Sequence, residues 1–186
     1  MSTAVNTPQT AARRTPVHDA LDALGAQWRN INGAEFAVSL HDEPAGDEPV
    51  PVALCDLSGL EKLGVKGPGA AEWLSNADTK VPPDIYESTP LTGGGLIVRL
   101  GTDEFLLEDE IGGTTVGQIS DSLGRGTQQV FRVEHQEATF LVVGARALDI
   151  MSQTCGLDLR EPVAGRVVLT RVAGVSAILL PQSIRE

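Results

Sequence analysis

The feature that most constrains the fold of this chain is a stretch that occurs twice. The first copy, residues 56–77, reads DLSGLEKLGVKGPGAAEWLSNA, and the second, residues 137–154, reads EATFLVVGARALDIMSQT. In each copy a segment of strand length runs into a glycine turn and then into a short apolar helix pattern. The turn glycines, Gly67 and Gly144, lie 77 positions apart. Each copy therefore predicts a strand, a turn and a helix.

A second similarity follows each copy. Residues 96–107 and 168–180 both read as two apolar strands joined by a short turn, at residues 101–103 and 173–174. Two copies at a long period favour a duplicated unit over a solenoid, whose repeats are shorter and more numerous. We therefore predict an α+β fold of duplicated strand–helix–hairpin units, with antiparallel sheets that carry helices.

The rest of the chain is assigned around these units. We expect residues 1–16, rich in Thr, Ala, Pro and Gln, to form a disordered N-terminal arm. Residues 17–186 form one α+β domain, with pseudo-repeats at about 52–124 and 128–186. A short amphipathic helix carries Leu21, Leu24 and Trp28, and a further helix covers residues 114–123. Strands are expected at 36–40, 52–56 and 128–133, and an exposed acidic loop at 41–50.

The repeated helices also predict which residues form the core. Trp73 and Leu74 in the first copy correspond to Ile150 and Met151 in the second. We expect both pairs to be buried against a sheet as core positions. After its hairpin the second copy ends without the helix that follows the first, so either the duplication is incomplete or a final segment is missing.

Composition limits the partners and the location. The formal charge of −11 argues against binding to nucleic acid or to an anionic membrane, because both require a cationic surface. No apolar run approaches the roughly 20 residues of a spanning helix, and no secretory signal is evident. Cys55 and Cys155 lie far apart, outside any metal-ligand spacing, and are expected to be reduced core thiols. We expect a cytoplasmic protein.

None of the chemically active residues forms a recognisable catalytic pattern. His18, His41 and His135 are each isolated in polar segments. The acids at 108–110 are consecutive on a strand and would point to opposite faces, so a solvated turn is expected. The glycines at 93–95 precede a hairpin rather than a helix, which disfavours a phosphate site. We therefore name no catalytic, cofactor-binding or metal-ligating residue.

The residues of the first copy resemble a known superfamily. Asp56, Leu57 and Ser58, followed by LGVKGPGA at residues 63–70, are similar to the signature of the folate-binding, glycine cleavage T-protein-like aminomethyltransferases. The hairpin at 96–107 resembles their "l-i-v-x-r-l-g-x-d-x-f-l-l" segment. CGLDL at 155–159 and RVVLTRVAGV at 166–175 resemble the gamma subunits of heterotetrameric sarcosine oxidase. The resemblance covers roughly residues 52–180.

This resemblance implies a T-protein N-terminal-like fold with ferredoxin-like halves, and a role as a non-catalytic gamma-type subunit. The complex would be a flavin-dependent oxidase or demethylase of secondary or tertiary N-methyl amines, linked to tetrahydrofolate one-carbon metabolism. FAD or FMN, NAD and tetrahydrofolate would lie in partner subunits and none in this chain. The partners would be an alpha-like subunit with a T-protein-like half and the beta and delta subunits.

One departure from the superfamily pattern favours this role. In the T-protein pattern the Gly-Gly pair is followed by apolar residues and an Asp-Asp step that supplies the functional acid, but here Gly94 and Gly95 run directly into LIVRL at 96–100 and no carboxylate occupies that place. An apolar side chain does not replace a general acid. The chain is therefore predicted to be a structural subunit without catalytic residues. The alternative is a stand-alone folate-binding, aminomethyltransferase-like protein for one-carbon transfer.

Overall fold

The computed structural model describes residues 13–42, 50–124, 129–159 and 165–181. These ranges contain four short helices and eleven strands. In chain order they are α1 (His18–Ala23), β1 (Gln27–Ile31), β2 (Ala34–Ser39), β3 (Ala53–Asp56), β4 (Lys62–Lys66), α2 (Ala70–Asn76), β5 (Ser88–Pro90), β6 (Leu96–Gly101), β7 (Glu104–Glu108), α3 (Thr115–Ser122), β8 (Phe131–Val133), β9 (Phe140–Val143), α4 (Ala147–Thr154), β10 (Val168–Val172) and β11 (Val175–Leu179). None of these helices is long and apolar enough to span a bilayer.

Five strands form the main antiparallel sheet, in the order β5-β6-β7-β4-β8. β4 lies inside it, with β7 along one edge and β8 along the other. Because side chains alternate along a strand, β4 turns Leu63 and Val65 to the face that α2 and α3 cover. The core on this face contains Leu63, Val65, Ala70, Leu74, Leu91, Ile97, Phe105, Leu107, Val116, Ile119 and Val130. The predicted α+β class with antiparallel sheets is confirmed.

The opposite face of the main sheet packs against the C-terminal hairpin. Val98 and Leu106 on this face form a buried cluster with Val167, which precedes β10. Ile178 and Leu180, on and just after β11, pack against the same cluster. β10 and β11 pair only with each other among the described strands, and the hairpin packs on the main sheet through these side chains. The segment just before β10 is also joined to β5 and the residues just before it by backbone hydrogen bonds, from the N–H of Ser88 to the C=O of Gly165 at 2.7 Å and from the N–H of Val167 to the C=O of Tyr86 at 2.8 Å.

The two repeated units share their local backbone geometry. Gly67 and Gly144 both have positive φ angles, of 129° and 112°. These angles favour glycine, and a Cβ at either position would collide with a backbone carbonyl. The N–H of Ala70 donates to the C=O of Gly67 at 2.9 Å, and the N–H of Ala147 donates to the C=O of Gly144 at 3.0 Å. The predicted strand–turn–helix unit is therefore present twice.

The strands of the two units are exchanged across the molecule. β4 of the first unit pairs with β8, which precedes the second unit, and β9 of the second unit pairs with β3, which precedes the first. Both pairs are antiparallel, and both hairpins follow their helices as predicted. The duplication thus produces an interlocked arrangement rather than two separate halves.

Several details of the sequence interpretation are corrected. Trp28 lies on β1 rather than on the first helix, which ends at Ala23. β1 and β2 form a hairpin across Asn32 and Gly33, whose φ angles of 51° and 80° suit a type I′ turn. Of the first expected core pair, Leu74 is buried but Trp73 is only partly buried. The second pair is wrong, because Ile150 is 39% exposed and α4 has no buried residue.

Some predicted segments fall partly outside the described ranges. The exposed loop at 41–50 and the arm at 1–16 lie mostly there. The last residues of the expected arm nevertheless contact the domain: Arg13 forms a bridge beside Ala34, and Thr15 is 6% exposed. The described structure therefore includes residues before the predicted domain start at position 17.

Candidate functional site

Buried polar side chains meet where the two repeated units join. The carboxylate of Glu108, at the end of β7, accepts a 2.7 Å hydrogen bond from the Thr139 hydroxyl. The same oxygen, Oε2, lies 3.5 Å from Nζ of Lys62. The Lys62 and Glu108 side chains are only 5% and 15% exposed. Lys62 and Thr139 are equivalent positions in the 77-residue repeat, so one carboxylate binds both copies at once.

Further hydrogen bonds extend this cluster towards β3. The backbone N–H of Thr139 donates to the Ser58 hydroxyl at 3.2 Å, and that hydroxyl donates to Oδ1 of Asp56 at 2.6 Å. The N–H of Leu57 donates to the C=O of Thr139 at 2.8 Å. We call Asp56, Ser58, Lys62, Glu108 and Thr139 the junction network. It links the turn before β4, the end of β7 and the start of β9.

A histidine lies next to this network. The His135 side chain is only 10% exposed, and its Nδ1 lies 3.0 Å from Oε1 of Glu137. The ring lies against Gly64, where a Cβ would collide with its Cδ2 and Nε2 atoms. Burial acts to raise the pKa of Glu137, but hydrogen bonds from the Glu137 backbone and from His135, together with the charges of His135 and Lys62, hold this pKa below its ordinary value. A glycine in β4 thus makes room for the His135–Glu137 contact at the start of the second copy.

The sequence suggested a solvated turn for the acids at 108–110, but of these three only Glu110 is exposed. Asp109 is 3% exposed, and its Oδ2 accepts a 3.1 Å hydrogen bond from the N–H of Val116 in the first turn of α3. A carboxylate there satisfies a free helix N–H and interacts favourably with the positive end of the helix dipole. Glu108 points to the junction network instead. Because consecutive side chains along a strand point to opposite faces, Glu108 and Asp109 have different partners.

Two of the three histidines were also misjudged as isolated. His135 pairs with Glu137, and the spacing of two residues in an extended segment was a signal for this contact. His18 stacks on Trp28, with ring centroids 4.2 Å apart and an interplanar angle of 7°. Its Nε2 lies 3.5 Å from Oε2 of Glu35 on β2. That cluster fastens α1 to the β1–β2 hairpin.

The cysteines behave differently from each other. Cys155 is buried as predicted, but Cys55 is exposed on β3, so the prediction of two core thiols is wrong for Cys55. Both are free thiols. Within the described ranges, no three His, Cys, Asp or Glu side chains come together in a way that would hold a metal ion.

A concavity lies beside α4 in the second unit. It has a volume of about 500 Å³ and is lined by Leu148, Ser152 and the segment from Cys155 to Leu159. Leu148 and Leu157 are 46% and 37% exposed. The second unit therefore carries exposed apolar surface, whereas the buried charged groups are used to join the two copies.

Comparisons with known proteins agree with the fold and with the resemblance in the sequence. No known family profile matches the chain. An aminomethyltransferase of Saccharopolyspora erythraea is 27% identical over 184 residues, which cover 86% of this chain and 50% of that protein. The sarcosine oxidase subunit gamma of Corynebacterium sp. (strain U-96) is 25% identical over 160 residues, covering 82% of this chain and 77% of that subunit.

Two solved structures share the architecture. The aminomethyltransferase T of the glycine cleavage system from Bartonella henselae superposes with a TM-score of 0.65 and 18% identity, over 86% of this chain and 48% of that one. A chain of the heterotetrameric sarcosine oxidase from Corynebacterium sp. U-96, in complex with pyrrole 2-carboxylate, gives 0.61 and 22%, over 90% and 80%. The chain thus spans about half the length of the aminomethyltransferases that it matches.

These comparisons show that the chain has the T-protein-like aminomethyltransferase fold. Within this class, the predicted resemblance to the gamma subunit of heterotetrameric sarcosine oxidase is confirmed by the sequence comparison, and a chain of a heterotetrameric sarcosine oxidase shares the fold.

Proposed function

We propose that this chain is a gamma-type subunit of a flavin-dependent, sarcosine oxidase-like complex. The observation that carries the proposal is the extent of the similarity. The match to the gamma subunit covers 77% of that subunit, whereas the match to the aminomethyltransferase covers 50% of that enzyme. The chain therefore corresponds to most of a gamma subunit but to only half of an aminomethyltransferase.

The use of its buried charges supports a non-catalytic role. Lys62 and Glu108 neutralise each other, and Thr139 occupies the same carboxylate oxygen. Asp109 is engaged at the start of α3. Groups held in this way have structural partners, and removing one partner alone would leave an uncompensated buried charge. In the proposed complex, chemistry takes place in other subunits and this chain supplies structure.

The proposed partners are an alpha-like subunit with a T-protein-like half, together with beta and delta subunits. FAD or FMN, NAD and tetrahydrofolate are assigned to these partners. The complex would oxidise or demethylate a secondary or tertiary N-methyl amine in the cytoplasm and pass the carbon to tetrahydrofolate. Exposed apolar residues on the second unit, such as Leu148 and Ile150, supply surface that partners would cover.

Co-expression tests this proposal. The chain is produced with the alpha-, beta- and delta-like subunits from the same genome, and the purified material is examined for flavin absorbance and for oxidation of sarcosine with tetrahydrofolate. We expect a yellow complex that contains this chain, and a less stable complex when the chain is omitted. A chain that purifies alone as a stable monomer, with all three partners present, would contradict the proposal.

The alternative of a stand-alone folate-binding protein for one-carbon transfer rests on the 27% identity to an aminomethyltransferase. Titration of the isolated chain with tetrahydrofolate, followed by tryptophan fluorescence, separates the two. Saturable binding by the isolated chain would favour the alternative. No binding, together with assembly into the complex, would favour the subunit role.

A further inference from the structure

The two equivalent strands of the repeat differ in how their edges are covered. β4 has β8 on one edge and β7 on the other. β9, its counterpart, pairs with β3 on one edge, and among the described residues no strand pairs with its other edge. The position that corresponds to β7 is therefore open beside β9.

The hydrogen-bonding direction shows which residues form this open edge. The C=O of Thr139 accepts from the N–H of Leu57, so Thr139 faces β3. Because backbone groups alternate along an antiparallel strand, Leu141 and Val143 also face β3. Phe140 and Val142 consequently direct their N–H and C=O groups away from β3. We call this side of Phe140 and Val142 the open edge.

The sequence of β9 lacks the features that protect an exposed edge. Edge strands of proteins that remain monomeric usually carry charged residues, proline or a bulge. Residues 138–143 read ATFLVV and contain no charge and no proline. In β4 the corresponding edge is fixed by the pairs Lys62–Glu108 and Lys66–Glu104, whereas β9 has Thr139 and Val143 at the positions of the two lysines.

The chain's own C-terminal hairpin does not serve as the cover. Ile178 and Leu180 pack against Val98 and Leu106 on the back of the main sheet. The hairpin that corresponds to β6–β7 is therefore engaged elsewhere. Unpaired N–H and C=O groups along an edge are satisfied by another strand, so the missing neighbour has the chemistry of a β-strand.

We propose that the open edge of β9 binds a β-strand of another polypeptide, and that this polypeptide is the large subunit of the proposed complex. This inference rests on the proposed function for the identity of the partner. Charge decides against a second copy, because two chains of formal charge −11 would repel each other. The exposed acids near this edge already have partners in the chain, since Glu137 lies 3.0 Å from His135 and Asp149 pairs with Arg146 at 3.2 Å. The strand that binds here is therefore expected to match the apolar, uncharged sequence of β9.

Hydrogen exchange tests the inference without any substitution. In the full-length chain alone, we expect the amides of Phe140 and Val142 to exchange rapidly and those of Leu141 and Val143 to be protected by β3. When the alpha-like subunit is added, exchange at Phe140 and Val142 should slow at least about tenfold, because each gains a backbone hydrogen bond. Binding of the subunit without slower exchange at these two amides overturns the assignment.

A pair of substitutions separates the edge from the neighbouring face. Val142→Pro removes an N–H from the open edge, where proline is sterically tolerated, and should weaken binding of the alpha-like subunit about tenfold or more. Leu54→Lys changes an exposed residue directly opposite Val142 on β3 and should leave binding within about twofold. If Leu54→Lys weakened binding of the alpha-like subunit more than Val142→Pro, the subunit would bind the neighbouring face of β3, and the assignment to the open edge of β9 would be wrong.

The outcomes also distinguish this inference from the proposed function. If the wild-type chain does not bind the alpha-like subunit, both fail. If it binds and enters the complex, but Val142→Pro binds equally well and exchange at Phe140 and Val142 is unchanged, only the edge assignment fails. A wild-type dimer in light scattering that Val142→Pro converts to monomers would identify a second copy as the occupant and overturn the choice of partner.

Discussion

The two repeated units begin with the same backbone and end in different surroundings. In both, a strand passes through a glycine of positive φ into a helix. In the first unit, Ala70 and Leu74 on α2 are fully buried against the main sheet. In the second, α4 has no buried residue, and Leu148 and Ile150 are exposed. The local backbone geometry of the repeated unit is therefore kept in α4, although the described residues do not bury this helix.

The contrast locates stability and interaction in different parts of the molecule. The first unit has a β-strand on both sides of β4 and two helices on the sheet, so it forms most of the core. The second unit is attached through the junction network and the C-terminal hairpin. A unit with less core of its own leaves apolar surface for other chains, in agreement with the proposed subunit role.

The largest expected effect tests this contrast directly. Leu74→Ala removes a side chain that is 0% exposed, and should lower the free energy of unfolding by about 3–5 kcal/mol. Met151 is the equivalent residue of α4 and is only partly buried, so Met151→Ala should cost under about 1.5 kcal/mol in the isolated chain. Urea denaturation of both variants measures the difference. Equal losses would show that the second helix is packed as tightly as the first.

The second prediction concerns the buried ion pair of the junction network. Lys62→Met leaves the Glu108 carboxylate without its charged partner, and should cost about 2–3 kcal/mol because both side chains are largely buried. Lys66 lies on the same strand and pairs with Glu104 at 2.8 Å, but their side chains are 56% and 34% exposed. Lys66→Met should therefore cost under about 1 kcal/mol.

The double variant Lys62→Met/Glu108→Leu sharpens this result. It removes both charges together, so we expect it to be more stable than Lys62→Met alone. Urea denaturation at neutral pH measures all three variants under one condition. Similar losses for Lys62→Met and Lys66→Met would mean that the ion pair in the junction network contributes no more to stability than a surface ion pair.

Sequence reasoning was most successful where local signals dominate. The repeated strand–glycine–helix unit and both predicted hairpins are present because periodicity and turn residues determine them within a few positions. Trp28 was misplaced because helical spacing was followed past Gly25, although the Asn32–Gly33 pair is a strong hairpin signal. The Asn32–Gly33 turn predicts that Trp28 lies on a strand.

The environment of each element was much harder to predict. Nothing in the sequence shows that β4 pairs with β8 and β9 with β3, because such exchange depends on contacts between distant segments. The junction network was missed for the same reason, since Lys62, Glu108 and Thr139 are remote in sequence. Ile150 was expected to be buried because its pattern matches that of Trp73, but a pattern cannot show whether a second sheet is present to cover it.

The smallest expected effect is a pH dependence at the edge of the junction network. The pKa of Glu137 is held below its ordinary value in the folded protein, despite burial, by hydrogen bonds from its backbone and His135 and by the charges of His135 and Lys62. A carboxyl group with a lowered folded-state pKa stabilises the fold fully above its unfolded pKa, about 4.3 for glutamate, and loses this contribution as the pH falls through the folded value. Wild type should therefore be more stable than Glu137→Gln near pH 7, and the difference should shrink as the pH falls below about 4.3. Urea midpoints measured from pH 7 to pH 3 test this, with Glu134→Gln, at an exposed position in the same segment, as the control for a lost charge. A difference that stays constant with pH would show that Glu137 does not link the second unit to the first through its charge.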